Sequence, residues 1–122
     1  MKTISQQRVL IAGRDAQFRQ ELHNFLLSEG FQRVDSEENL DEALEKIGNW
    51  AYDVLVFDVG SPFEHGLELA RCAVRLRPEL KAVLVIEAED QRGWNEMAPS
   101  AREFKFLIKS TVTRNLLPAL EE

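Results

Sequence analysis

The sequence predicts an α/β protein in which five strand–helix units build a parallel sheet with helices on both faces. Val9-Leu10-Ile11-Ala12, Val54-Leu55-Val56-Phe57 and Ala82-Val83-Leu84-Val85-Ile86 are short, unbroken apolar runs rich in β-branched residues. Such runs suit strands buried on both faces. Longer amphipathic segments separate them, and right-handed crossovers distribute those helices over both sides of the sheet. The chain of 122 residues suits a single domain spanning 1–122, with no linker or low-complexity stretch inside it.

The elements follow in order. After the first strand, Phe18, Leu22, Phe25 and Leu26 make one helical face, which Gly30 closes. Phe31 to Asp35 reads as a short second strand. Asn39 with Glu42 resembles a capping box, and Leu40, Ala43, Leu44 and Ile47 form the stripe behind it. The third strand, Val54 to Phe57, precedes a helix marked by Leu67, Ala70 and Val74 and ended by Pro78. Past the fourth strand, Gln91 to Ser100 contains Gly93, Asn95 and Pro99, so a short or irregular helix is expected. Phe104 to Ile108 reads as the last strand and Val112 to Leu120 as the last helix.

Hydrophobic residues at 44% and charged residues at 30% are the balance of an ordered soluble protein. A net charge of −6 argues against a nucleic-acid-binding domain, which carries a basic face. There is no apolar run long enough for a membrane span and no signal-peptide pattern at the start. The one cysteine, Cys72, fits a reducing cytoplasm. In a doubly wound sheet, chemistry gathers at the carboxyl ends of the strands. Here those positions are Gly13, Arg14, Asp15, Asp58, Glu87 and Lys109.

The stretch from Tyr52 to Leu69 has an apolar strand ending in Asp58, then Pro62 four residues on and Gly66 eight on. With Leu107-Ile108-Lys109 and Phe106 three residues before the lysine, it resembles the receiver domain of two-component response regulators. The similarity covers essentially the whole chain. It implies a flavodoxin-like fold, (βα)5, with strand order 2-1-3-4-5. It makes Asp58 the phosphate-accepting position, Lys109 its paired lysine and Phe106 the switch aromatic. A carboxylate at a strand end can accept a phosphoryl group, and an ammonium can neutralise the product.

The pocket departs from the family pattern. Where the family has two acidic Mg²⁺ ligands, this chain has Gly13 and Arg14. Asp15 comes one residue late, at the start of the first helix, where the dipole favours an acid. Glu87 replaces the Thr or Ser that would bond a phosphoryl oxygen, and an ionised carboxylate cannot donate that bond. Counted from Asp58, Glu87, Lys109 and Arg14, the site sums to about zero charge. Mg²⁺ needs hard oxygen ligands, so it is expected to bind weakly or not at all, and no other cofactor is implied. Asp58 is expected to be held ionised between Arg14 and Lys109.

The leading reading is an atypical receiver module, not an enzyme, acting through protein contacts without Mg²⁺-dependent phosphorylation. The alternative is a working phosphoacceptor charged on Asp58 by a histidine kinase. An unrelated α/β enzyme has little support, because the strand ends offer no nucleophile–base pair and no phosphate cradle. The expected partner is a protein: a histidine kinase, a phosphotransfer protein or an output protein. From Gln91 to Arg114 the chain carries +3, leaving −9 for the remainder, so an acidic partner suits that face. Trp94 and Met97 there either anchor a partner or cover the core.

Overall fold

A computed structural model describes residues 3–60 and 63–121; Pro62, part of the motif above, lies outside the described residues. Five parallel strands, β1 (Arg8–Ala12), β2 (Arg33–Glu37), β3 (Val54–Asp58), β4 (Lys81–Ile86) and β5 (Lys105–Ile108), are ordered β2-β1-β3-β4-β5. The intervening helices are α1 (Ala16–Ser28), α2 (Leu40–Asn49), α3 (Phe63–Leu76), α4 (Gln91–Met97) and α5 (Val112–Glu121).

Strand alternation sorts the core into two layers. Val9, Ile11, Val54, Val56, Val83 and Val85 face α1 and α5, where Leu22, Leu26 and Leu116 cover them. Leu10, Ala12, Leu55, Phe57, Leu84 and Ile86 face α2, α3 and α4. Among the described residues no polar or charged residue is buried, so the sheet interior carries packing and the chemistry is confined to its edges and ends.

The expected second strand is displaced. Phe31 lies before β2 and belongs to the end of α1, where its N–H donates to the Leu26 carbonyl at 3.1 Å. It is buried with the α1 side chains, so its apolarity marks a helix terminus. Asn39 caps α2 as expected, with Oδ1 accepting from the N–H groups of Asp41 and Glu42 at 2.8 and 3.3 Å. The last helix runs through Pro118, an exposed position. Gly66, in the first turns of α3, permits a close approach: a Cβ there would lie 2.5 Å from Val59 Cβ.

The segment after β4 is irregular, as its composition predicts. A 3-10 turn (Ala88–Asp90), the seven-residue α4 and a second 3-10 turn (Ala98–Ser100) follow one another. Trp94 is 1% exposed and belongs to the core, with its ring centroid 5.8 Å from Phe63 and 5.3 Å from Phe106. Met97 packs partly buried against the same cluster. Of the two readings of these side chains, the structure takes the one in which they cover the core.

Candidate functional site

The site is built where β1, β3, β4 and β5 end. Past β1, the Gly13 N–H donates to the Glu37 carbonyl at 3.1 Å, and the Arg19 guanidinium donates to the Gly13 carbonyl. These bonds hold the backbone of Gly13 hard against β3. Its φ is +157°, and a Cβ added there would stand 2.8 Å from Asp58 Cβ, closer than two such carbons approach. The absence of a side chain at 13 is therefore a packing requirement of this pocket.

Asp15 then caps α1, its Oδ1 accepting from the Phe18 N–H at 3.1 Å. Its other oxygen, Oδ2, lies 2.9 Å from Lys109 Nζ. Lys109 follows β5 directly and also reaches Asp58 Oδ2 at 2.9 Å and Glu87 Oε1 at 3.5 Å. One ammonium thus stands among three carboxylates, with the Phe18 ring 5.2 Å away on another side. Asp58 is the most enclosed of the three, its side chain 8% exposed, while that of Lys109 is 21% exposed.

Burial works against the charged form of Lys109, but hydrogen bonds to Asp15 and Asp58 outweigh it and hold the amine above the ordinary lysine range. The hydrogen bond from Lys109, supported by the Phe18 N–H, holds Asp15 below the ordinary carboxylate value.

All six strand-end positions singled out in the sequence line one cavity of about 510 Å³, together with exposed His65. Three expectations about them need correction. Arg14 does not hold Asp58: it is exposed and makes no ion pair among the described residues. It forms the wall, with Leu40 and Leu69, between this cavity and a neighbouring one of about 610 Å³ lined by Glu37, Glu38, Asp41 and Glu42. Asp15 is more than a helix cap, because its second oxygen joins the site. With Asp15 counted, the site's charge is more negative than zero.

Phe106 lies outside the cavity and packs on Trp94. Sequence reasoning missed Arg19, whose bond to the Gly13 carbonyl fixes the turn. Its place one turn into a helix that starts at a strand end was the available signal.

The family model for the response regulator receiver domain matches residues 9–121. The transcriptional regulatory protein PdtaR of Mycobacterium tuberculosis is 31% identical over 116 residues, covering 93% of this chain and 55% of that protein. The sensory transduction protein LytR of Staphylococcus haemolyticus is 38% identical over 66 residues, 52% of this chain and 25% of that protein. The chain thus spans about half or less of the curated relatives it matches.

Among solved structures, a CheY-like receiver domain protein from Methanospirillum hungatei superposes with a TM-score of 0.77 at 26% identity, covering 95% of this chain and 91% of that one. A chain described as the adenylate cyclase from Rhodopirellula baltica gives 0.78 at 23% identity, covering 95% and 85%, a likeness of fold alone. With the strand order, the strand-end aspartate and lysine and the match over nearly its whole length, the chain belongs to the response regulator receiver domain family, regulatory domains of two-component signalling.

Proposed function

We propose that this receiver works through protein contacts, with a pocket closed around Asp58 by Lys109, and that it does not take up Mg²⁺-dependent phosphorylation. The observation that carries this reading is the single ammonium within reach of Asp15, Asp58 and Glu87. The residues present do not fit the divalent cation that the family implies. Position 13 has neither a carboxylate nor room for one. The carboxylate oxygens that remain converge on a cation the chain already owns. Among the described residues no three His, Cys, Asp or Glu side chains are arranged to hold a metal ion.

Without a cation bridging acceptor and phosphoryl oxygens, little is left to neutralise the charge that develops during transfer. Glu87 adds repulsion where a hydroxyl would donate. Receiver domains interact with kinases, phosphotransfer proteins or output proteins. On this reading the chain keeps the interaction and omits the chemistry, and the +3 stretch from Gln91 to Arg114 suits an acidic partner surface.

The entry of Asp15 into the site favours the second reading, a working phosphoacceptor in which that carboxylate replaces a missing ligand. Intact mass after incubation with acetyl phosphate, with and without Mg²⁺, separates the two. The expected result is no adduct under either condition. A Mg²⁺-dependent phosphoryl adduct that disappears in Asp58→Asn would overturn the proposal.

A further inference from the structure

The sheet has an open edge at β2. Among the described residues β2 pairs with β1 alone, so one side of its backbone has no ladder partner. The bond from the Gly13 N–H to the Glu37 carbonyl shows which groups face β1. Backbone groups alternate along a strand, so those of Arg33, Asp35 and Glu37 point at β1, and those of Val34 and Ser36 point away from it. A row of such outward donors and acceptors is a template for another strand. No proline interrupts the five residues of β2.

Two charged side chains on this edge have spare capacity. Arg33 is exposed and makes no hydrogen bond or ion pair among the described residues. Asp35 meets the Tyr52 hydroxyl and Arg8 through Oδ2 alone, which leaves Oδ1 without a partner there. A cavity of about 290 Å³ runs along the same edge, lined by Arg8, Gln32, Arg33, Val34 and Asp35.

The charge pattern selects both the occupant and its register. Two copies related by a two-fold axis pair antiparallel, with the same residue of each at the centre. Centring on Arg33, Asp35 or Glu37 sets that residue against its own charge, and centring on Ser36 sets Asp35 across from Glu37. Like charges directly opposite destabilise a strand pair. Centring on Val34 is the one arrangement of the five that avoids this, and it sets Arg33 across from Asp35 twice. We propose that a second copy of this chain pairs with β2 edge to edge, antiparallel and centred on Val34, joining two five-stranded sheets into one. The edge is short, so the association is weak and depends on concentration. It lies at the opposite side of the sheet from β5 and leaves the strand-end pocket untouched, so it goes beyond the functional reading above and does not rest on it.

Sedimentation equilibrium of the full chain at pH 7 tests it. Between about 10 μM and 1 mM the weight-average mass is expected to rise from that of one copy toward twice that value. Arg33→Asp sets carboxylates opposite one another and is expected to weaken association at least about tenfold. Asp35→Arg alone should do the same, and an equimolar mixture of the two variants should associate again, each supplying the charge the other lacks. Asp35→Arg also takes an acceptor from Tyr52, so amide exchange of the unaltered chain gives a second reading. The N–H groups of Val34 and Ser36 should exchange about threefold or more slowly at about 1 mM than at about 10 μM, with β3 and β4 unchanged. A mass that stays at one copy throughout would overturn the proposal, as would association unaffected by Arg33→Asp. Exchange at Val34 and Ser36 that is independent of concentration would overturn it equally.

Discussion

Two cations stand at opposite ends of the same sheet, and they are held by different physics. At the carboxyl ends of the strands, Lys109 lies among Asp15, Asp58 and Glu87. At the other end the Arg8 guanidinium stacks between two rings, 5.2 Å from the centroid of Trp50 and 4.9 Å from that of Tyr52. Its carboxylate neighbour, Asp35, is 3.7 Å away and is already engaged by the Tyr52 hydroxyl, which donates to it at 2.6 Å. Burial, together with that bond and the nearby Asp35 charge, pushes the Tyr52 phenol above its ordinary value.

The difference teaches which end is adjustable. An ammonium is a compact point charge that can shift among oxygens, whereas a guanidinium stacked on rings is fixed by shape. The Lys109 end is where a partner, a proton or salt can change the balance. The Arg8 end is a clasp, joining β1 to the exposed Trp50 that follows α2.

Removing the ammonium should therefore produce the largest loss. Lys109→Met leaves three carboxylates facing one another and is expected to cost about 2 kcal/mol in urea unfolding at pH 7 and low salt. That is below the figure for a fully buried pair because the lysine retains some access to water. Equal stability of the two proteins would mean that the lysine does not hold the site. At the opposite end, Arg8→Lys keeps the charge and loses the planar stack. A loss of about 0.5–1 kcal/mol is expected, insensitive to added salt, whereas the Lys109→Met loss should shrink as salt screens the carboxylates. Identical salt dependence would erase the distinction between the two ends.

The smallest effect concerns acid. The folded value of Asp15 lies below its unfolded one, so its contribution is complete above about pH 4 and disappears as pH falls through the folded value. Wild type and Asp15→Asn should differ at pH 7, and the difference should close as pH falls through the lowered folded value. Asparagine keeps an Oδ1 able to cap the helix, so a gap that persists at pH 2 would show that the carboxylate charge is not what Asp15 contributes.

Much of this was legible in the sequence, for physical reasons that also mark where legibility stopped. Central strands announce themselves because both faces are apolar, as in Val54-Leu55-Val56-Phe57. The edge strand β2 has Val34 as its only buried residue and pairs on one side, so the apolar Phe31 drew the expected strand two residues toward α1. The strand-end rule named six positions, Arg14 among them, that line one cavity.

It could not say which way Arg14 points. That depends on how closely the backbone at 13 approaches Asp58, a contact between residues 45 positions apart. Nor could spacing show that Asp15 divides its two oxygens between a helix and a lysine 94 residues away. Trp94 was ambiguous because burial of a lone indole on a poor helix follows from its neighbours, Phe63 and Phe106, and not from its own element.

The contact between Gly13 and Asp58 also limits which substitutions the pocket can accept. The space that any side chain at position 13 would need is taken by Asp58, whose Cβ would stand 2.8 Å from the new carbon. A single substitution there meets a carbon–carbon clash before its side chain can reach the pocket. Making room would require the turn's two bonds, Gly13 N–H to the Glu37 carbonyl and Arg19 to the Gly13 carbonyl, to relax. A carboxylate placed at position 13 would therefore have to displace the turn from β3 before its oxygens could reach the pocket.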